Sequence, residues 1–496
     1  MGAPFWARLC WRIAARRPLL QCILIAIVAG ISPLALAKPN IVFILADDLG
    51  YTDLACYGSK YYETPHLDRV AAQGMKFASG YTCGPNCQPT RAALMSGQYN
   101  PRTGVYTVGG IDRFAWQTRT LRPVDNVQNL PLEKITIGQA IKKAGYSTGY
   151  FGKWHLGQDG DYHPGKRGFD EAITSMGVHF DFKTQPKVDY PKGTYLADWL
   201  ADKSVDFIRR HKEKPFFLVL AHFAVHTPLQ AKQNWIDHFK PKSPVGGHQN
   251  PTYAGMIASV DESVGRIMAL LDELKLSDNT LLVFSSDNGG VGGYEREGIQ
   301  GGDVTDNAPL RGGKGMLYEG GVRIPYIFRW PGKIKSGTVC NEPINSVDLY
   351  PTLVELAGGK PDPAYTLDGT SYLNLLTGGS KAKRKALYWH FPGYLGSGGN
   401  TWRTTPVGTI RDGDWKLLEF FETGKRELYN LKDDIGEKHD LAGSQPDKLK
   451  ELHDKLLAWR KQIGAPMPTP NTPSEIVPAK AKGKGKGRKK KTAAEE

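Results

Sequence analysis

The run Asn40-Ile41-Val42-Phe43-Ile44-Leu45-Ala46-Asp47-Asp48 limits the chain more than any other stretch. Its apolar residues follow one another without polar alternation, which describes a strand buried on both faces. A parallel sheet covered by helices on both sides offers such a place. Two aspartates follow at the C-terminal end of the strand. The pattern returns three times. Ser147 to Phe151 leads into Gly152-Lys153-Trp154-His155, Phe216 to His222 into His226-Thr227-Pro228, and Leu281 to Ser285 into Asp287-Asn288-Gly289-Gly290. Helical segments lie between and beyond these strands. Pro65 to Gln73 is closed by Gly74, and Ile137 to Ala144 has Thr136 as N-cap and Gly145 as stop. Residues 195–212, 252–275 and 348–357 are also helical. The alternation is that of an α/β domain.

One regularity outweighs any single element. Asp47 and Asp48, Lys153 and His155, His226, and Asp287 and Asn288 each stand just beyond a strand end. In an open α/β sheet that edge is where ligands bind. Each residue alone reads as a cap or turn residue. Together they bring carboxylates, bases and cations to one edge, which describes a site. His222, four residues before His226, reads as structural.

Cys87-Gln88-Pro89-Thr90-Arg91 supplies the reactive group. Pro89 has the fixed φ of a first helical turn, Thr90 to Ser96 continues as helix, and Gly97 ends it in a left-handed cap. Cys87 therefore stands at a helix N-terminus, where N–H groups and the helix dipole favour negative charge. A nucleophile facing an anionic ester is well placed there. For a lone cysteine the alternative is a buried structural thiol.

The spacing Cys-x-Pro-x-Arg resembles the signature of the type I sulfatases, in which the cysteine is oxidised to formylglycine after translation. Most members have Ser where this chain has Thr90; the hydroxyl is kept. Cys83 has Pro85 two residues on, but Cys87 where the arginine belongs, and does not fit. Asp47-Asp48-Leu49-Gly50, Cys87 to Gly104, Gly152 to Gly157, His226-Thr227-Pro228, Ser286 to Gly289 and Leu310 to Pro325 carry the resemblance through nearly the whole mature chain. Glu427 to Leu431 with Asp440-Leu441-Ala442 resembles the family's small subdomain. The implied fold is that of the alkaline phosphatase superfamily: a large mixed sheet sandwiched by helices, with a small C-terminal antiparallel-sheet subdomain.

The resemblance implies a sulfuric ester hydrolase acting on a sulfated carbohydrate. Such a reaction needs a nucleophile at sulfur, positive charge around the non-bridging oxygens, and a proton for the leaving alcohol. Hydrated formylglycine from Cys87, made by a formylglycine-generating enzyme, is a geminal diol. One hydroxyl attacks sulfur, and the second lets the sulfated intermediate collapse to aldehyde. Arg91, Lys153 and Lys314 are the candidate fixed cations. By resemblance Arg91 holds residue 87, Lys153 and Lys314 grip the sulfate, His155 orients or deprotonates the diol, and His226 donates a proton to the leaving oxygen. Asp47, Asp48, Asp287 and Asn288 offer hard oxygen ligands that suit Ca²⁺, with an oxygen of the modified residue 87 and a sulfate oxygen filling the remaining places; Mg²⁺ is the second candidate. No Cys/His set has zinc spacing.

Charge and segmentation bound the rest. The formal charge is +14, of which +4 lies in residues 1–37 and +6 in residues 479–496, leaving a mildly basic body and no nucleic-acid function. Residues 1–37 read as a signal peptide: a basic segment ending at Arg17, an apolar run from Leu19 to Leu36, and Ala35-Leu36-Ala37 as the cleavage site. The alternative is an uncleaved anchor, the run being near spanning length. The expectation is export to the periplasm or beyond, with contact to a membrane only through that peptide. Cys56, Cys83, Cys87 and Cys340 remain, enough for at most one disulfide once Cys87 is converted. The expected divisions are a catalytic α/β domain over 38–375, with 362–375 as a linker, an α+β subdomain over 376–465, and a disordered Lys/Gly-rich tail over 466–496. Residues 289–313 read as a Gly-rich pocket rim, and Trp116, Tyr394 and Trp402 as residues for sugar stacking or rim packing. Two rival functions stand: a phosphonate monoester or phosphodiester hydrolase with the same modified residue, and a non-catalytic sulfated-glycan binder in which Cys87 stays a thiol.

Overall fold

The computed structural model describes residue 1 and residues 38–474, apart from 380–383, 385 and 399–400; the leader and the basic tail read from the sequence lie outside these. The body is built on a mixed eight-stranded sheet. Its strands follow the spatial order Thr338–Cys340, Met75–Phe77, Tyr326–Arg329, Thr280–Ser286, Asn40–Ala46, Phe216–Ala221, Ser147–Gly152, Glu171–Thr174. Asn40–Ala46 lies centrally, parallel to both neighbours, with Phe43 opposite Val219 on one side and Val283 on the other.

All seven residues of that strand are buried, and the two-residue period of the pleat divides them. Val42, Ile44 and Ala46 enter a core with the helices Pro65–Ala72, Leu196–His211 and Pro251–Glu273. Ile41, Phe43 and Leu45 enter a second core with Cys87–Ser96, Ile137–Lys143 and Ser346–Leu356. The apolar run thus reflects burial on both faces. Thr136 caps Ile137–Lys143 as its sequence suggests, with Gln139 completing the capping box.

The C-terminal part is a four-stranded antiparallel sheet, Ala386–Phe391, Val407–Asp412, Trp415–Phe420 and Arg426–Asn430. The helix Pro446–Ile463 covers it through Leu452, Leu456 and Trp459. A short ribbon of Leu395–Gly398 and Thr401–Thr404 stands beside it.

Three expectations change. Residues 362–375 are no loose linker: Asp368 accepts from Tyr99 N–H and pairs with Arg102, and Tyr372 is buried. The chain after 465 is held as far as Ser474, because Thr469–Pro470 pairs antiparallel with Leu121–Arg122, Asn471 N–H bonds Thr120 O and Ser474 N–H bonds Gln117 O. The third is the Gly-rich segment, which is exposed like a rim over 300–303 but buried at its two ends, Gly289–Gly290 and Gly312–Gly313. The four described cysteines form no disulfide with one another. Among the described residues no helix is long and apolar enough to cross a membrane.

Candidate active site

The strand ends named from the sequence converge, and their main chains are laced together. Asp47 N–H donates to Ala224 O, Val225 N–H to Asp47 O, Asp287 N–H to Ala46 O and Lys153 N–H to Ala221 O, at 2.7–3.2 Å. Asp48 and His155 both hold left-handed backbones, φ 62° each. Away from glycine, such a conformation is uncommon and here re-aims two side chains into the site.

Cys87 opens a ten-residue helix with Asn86 as N-cap and Gly97 at φ 66° as its left-handed stop. The thiol lies 3.7 Å from Asp48 Oδ1. Thr90 uses its hydroxyl on Asn86 O and Gly84 O, so the side chain ties the nucleophile's turn together. Arg91 is buried beneath: Nε donates to Asp287 Oδ2 at 2.8 Å, one terminal nitrogen bonds Lys153 O, and the other is 3.8 Å from Asp47 Oδ2. Arg91 thus grips the aspartates and the Lys153 main chain; no hydrogen bond from it to Cys87 appears among the described residues.

Lys153 Nζ pairs with Asp47 Oδ2 at 2.5 Å, and Lys314 Nζ with Asp48 Oδ2 at 2.8 Å. Asn288 Nδ2 donates to Asp48 Oδ1 at 2.9 Å. His226 bonds Thr227 O through Nδ1 at 2.6 Å and turns Nε2 to Asp48 Oδ2 at 3.7 Å. His155 has a buried Nδ1 without a hydrogen-bond partner. His222 is wholly buried, and neither of its ring nitrogens has a hydrogen-bond partner among the described residues.

Electrostatics follow from burial and from three anions facing three cations. Burial pushes the Asp48 carboxyl up, but Lys314, His226 and Lys153 outweigh it and hold it well below the usual carboxylate range. Asp287 moves the other way, to about 6, through burial and the charge of Asp47. Lys153 and Lys314 stay charged against burial because of Asp47 and Asp48 respectively. Burial, then the surrounding cations, keeps His155 neutral, and burial brings His226 to about 3. Burial also raises the Cys87 thiol, so the unmodified side chain is a poor nucleophile here.

The donor set fits a hard cation. Asp47 Oδ1 and Asn288 Oδ1 are buried without hydrogen-bond partners, an arrangement that costs free energy unless a ligand satisfies it. Asp47, Asp48, Cys87 and His226 place ligand atoms within 4.8 Å of one another. Carboxylate and amide oxygens of this kind suit Ca²⁺ or Mg²⁺.

Lys314 is held by contacts that residue spacing does not disclose. Gly289, Gly290, Gly292, Gly313, Gly320 and Gly321 let main chains touch. A Cβ at Gly289 would fall 1.8 Å from Gly320 O, and one at Gly313 2.1 Å from Gly292 O. Asn307 Nδ2 bonds the carbonyls of Gly290, Gly292 and Gly312, and Lys314 N–H bonds Gly290 O. Beyond this, Glu319 and Glu437 meet Lys416 at 2.9 and 2.8 Å with no solvent exposure on the lysine. Glu437 also accepts from Glu319 N–H. The C-terminal sheet therefore braces the loop that carries Lys314. Tyr294, Asn307, Glu319, Lys416 and Glu437 went unread in the sequence. They act through partners up to a hundred or more residues away, and only the GG pairs hint at close main-chain contact.

Fold and site together define a hydrolase of the alkaline phosphatase-like class. Residues 39–359 match the sulfatase family model, and residues 313–462 match that of the N-sulphoglucosamine sulphohydrolase C-terminal region. The chain belongs to the sulfatase family and is a sulfuric ester hydrolase. It is 34% identical to a sulfatase of Formosa agariphila over 86% of this chain and 90% of that protein. It is also 34% identical to the N-acetylgalactosamine-6-sulfatase of Homo sapiens, covering 71% of this chain and 68% of that one. Among solved structures, Ps i-CgsB in complex with k-i-k-neocarrahexaose superposes with a TM-score of 0.71 at 32% identity, over 85% of this chain and 92% of the other.

Proposed function

We propose that this sulfatase is exported and removes sulfate from a sulfated carbohydrate, using Cys87 converted to formylglycine and a bound Ca²⁺. The observation that carries the reading is the pairing at one helix N-terminus of a buried cysteine, two unsatisfied buried oxygens on Asp47 and Asn288, and two lysines. A formylglycine-generating enzyme supplies the modification, and the basic and apolar leader the export route. A carbohydrate substrate is supported by the relatives, one solved with a neocarrahexaose and one named for N-acetylgalactosamine 6-sulfate.

Asp47, Asp48, Asp287 and Asn288 would hold the cation, with Mg²⁺ as the alternative. The metal and the hydrated aldehyde supply a Lewis acid and a geminal-diol nucleophile respectively. Lys153 and Lys314, which pair with Asp47 and Asp48, would face the sulfate oxygens. Arg91 fixes Asp287, Asp47 and the Lys153 main chain. His155 orients the nucleophile and takes its proton. His226, locked by its Nδ1 bond to Thr227 O, presents Nε2; charge brought in with the sulfate offsets the lysines and favours the imidazolium that protonates the leaving oxygen.

The test is sulfate release, by ion chromatography, from a panel of sulfated oligosaccharides treated with enzyme matured together with a formylglycine-generating enzyme. Release from at least one glycan is expected. Cleavage of an aryl phosphodiester with no sulfate release favours the phosphodiesterase reading. Binding without any turnover favours the silent binder.

A further inference from the structure

Among the described residues Arg403 is a cation without an ion-pair partner. It lies on the Thr401–Thr404 strand of the small ribbon, where alternate residues face opposite ways. Trp402 turns to Phe114, Tyr394 and Arg119, at 6.3, 5.3 and 5.6 Å; it is engaged in rim packing, as is Tyr394. Arg403 turns the other way, toward the loop that carries Lys314. Its guanidinium carbon sits 4.4 Å over the Tyr294 ring, and the Tyr294 hydroxyl donates to Lys314 O at 2.7 Å. Its stem lies against Gly315, whose Cβ position would be 3.5 Å from Arg403 Cδ. Gly315 N–H in turn bonds Pro85 O, two residues before Cys87.

Arg403 thus stands one tyrosine away from the proposed sulfate-gripping lysine, on the side of the nucleophile's own segment. Most other arginines of the body spend their charge internally: Arg91 on Asp287, Arg311 on Glu297, Arg323 on Glu319, Arg384 on Asp348 and Arg460 on Glu419. Arg403 has no carboxylate within 4.0 Å among the described residues, and its buried Nε has no hydrogen-bond partner. The neighbouring acids are taken: Asp306 pairs with Arg296, and Asp303 accepts from Tyr294 N–H. A guanidinium stacked on an aromatic face keeps its edge free for a planar or tetrahedral anion.

We infer that Arg403 recognises a second anionic group of the substrate, a sulfate or a carboxylate next to the sulfate ester that is cleaved. The inference rests on the glycan reading above. It makes the substrate a polyanionic sugar and assigns specificity to the C-terminal ribbon, remote in sequence from the catalytic residues.

The experiment uses mature, metal-loaded enzyme and three oligosaccharide probes. One is a galactan with one sulfate per disaccharide, one its counterpart with two, and one a glycosaminoglycan disaccharide with one sulfate and one uronate. The readout is the ratio of kcat/KM on each two-anion probe to that on the one-anion probe. Wild type is expected to favour at least one two-anion probe by about tenfold or more, the size of a charge-assisted hydrogen bond. Arg403→Gln should bring the ratio near one through KM, and Arg403→Lys, which keeps charge but loses the fork, should fall between. The probe that shows the effect separates sulfate from carboxylate. Equal ratios in wild type and Arg403→Gln, with unchanged thermal unfolding, overturn the inference while leaving the glycan reading intact. No turnover of any glycan, with 4-nitrophenyl sulfate still cleaved, overturns both.

Discussion

Replacing Gly289 by alanine tests whether main-chain contact in the Gly-rich loop builds the site. Gly289 has an ordinary φ, so the cost comes from space alone. The new methyl would start 1.8 Å from Gly320 O and 2.8 Å from Gly320 C, where real Cβ contacts are essentially never under 3.0 Å. The two main chains must separate by about 1.2 Å, which also stretches the 3.0 Å bond from Gly289 N–H to Gly321 O beyond hydrogen-bond range. Overpacking of this size and one lost bond amount to about 2–4 kcal/mol. Asn288 and the Gly290 carbonyl that anchors Lys314 move with Gly289. A displacement of about 1 Å at a reacting centre costs on the order of a hundredfold in rate. The assay is thermal unfolding together with turnover of 4-nitrophenyl sulfate by matured enzyme. Gly298→Ala is the control: φ is 74° and its Cβ meets nothing within 4 Å, so about 1–2 kcal/mol is lost to backbone alone. Wild-type melting and turnover within threefold for Gly289→Ala would refute the reasoning.

Further outcomes follow from individual groups. Lys314→Ala should keep its fold by circular dichroism and lose about a hundredfold or more in turnover; near-normal turnover removes Lys314 from the site. Exhaustive chelation should abolish turnover and lower the melting temperature, with added Ca²⁺ restoring both, since a ligand at a hundred times its Kd stabilises by about 2.7 kcal/mol; full activity in metal-free enzyme contradicts the assigned ligands. Asp261 gives a pH signature. It accepts the His66 and Leu67 N–H groups at the start of Pro65–Ala72, and burial lifts its carboxyl to about 7. The native state therefore holds this proton more tightly than the unfolded chain, and its stabilising effect is lost as pH rises toward and through 7. Asp261→Asn should lose less in melting temperature between pH 5 and pH 8 than wild type, by on the order of 2–4 kcal/mol of stability; parallel profiles would rule this out.

Residues that act by their own side chains at strand ends were legible in the sequence. Asp47, Asp48, Lys153, His155, His226, Asp287 and Asn288 follow buried strands whose apolar runs are unmistakable, and the structure brings them together. Cys87 and Gly97 were legible from helix chemistry. Short strands were not: Met75–Phe77 and Thr338–Cys340 are too brief for a period to show, so the part of the sheet beyond the antiparallel strand Tyr326–Arg329 went unread. The brace of Glu319, Lys416 and Glu437 went unread because a buried ion network depends on residues distant in sequence finding one another. Thr469–Pro470 escaped for a related reason, since it and its pairing partner Leu121–Arg122 are strands of only two residues each, distant in sequence. Arg403 escaped because an unpaired arginine is defined by what does not surround it.

The most direct test of the proposed chemistry is the mass of the peptide that contains residue 87, taken from protein with measured sulfatase turnover. The expected result is an aldehyde, or its hydrate, in place of the thiol. An unmodified cysteine in fully active protein would contradict the mechanism proposed for Cys87.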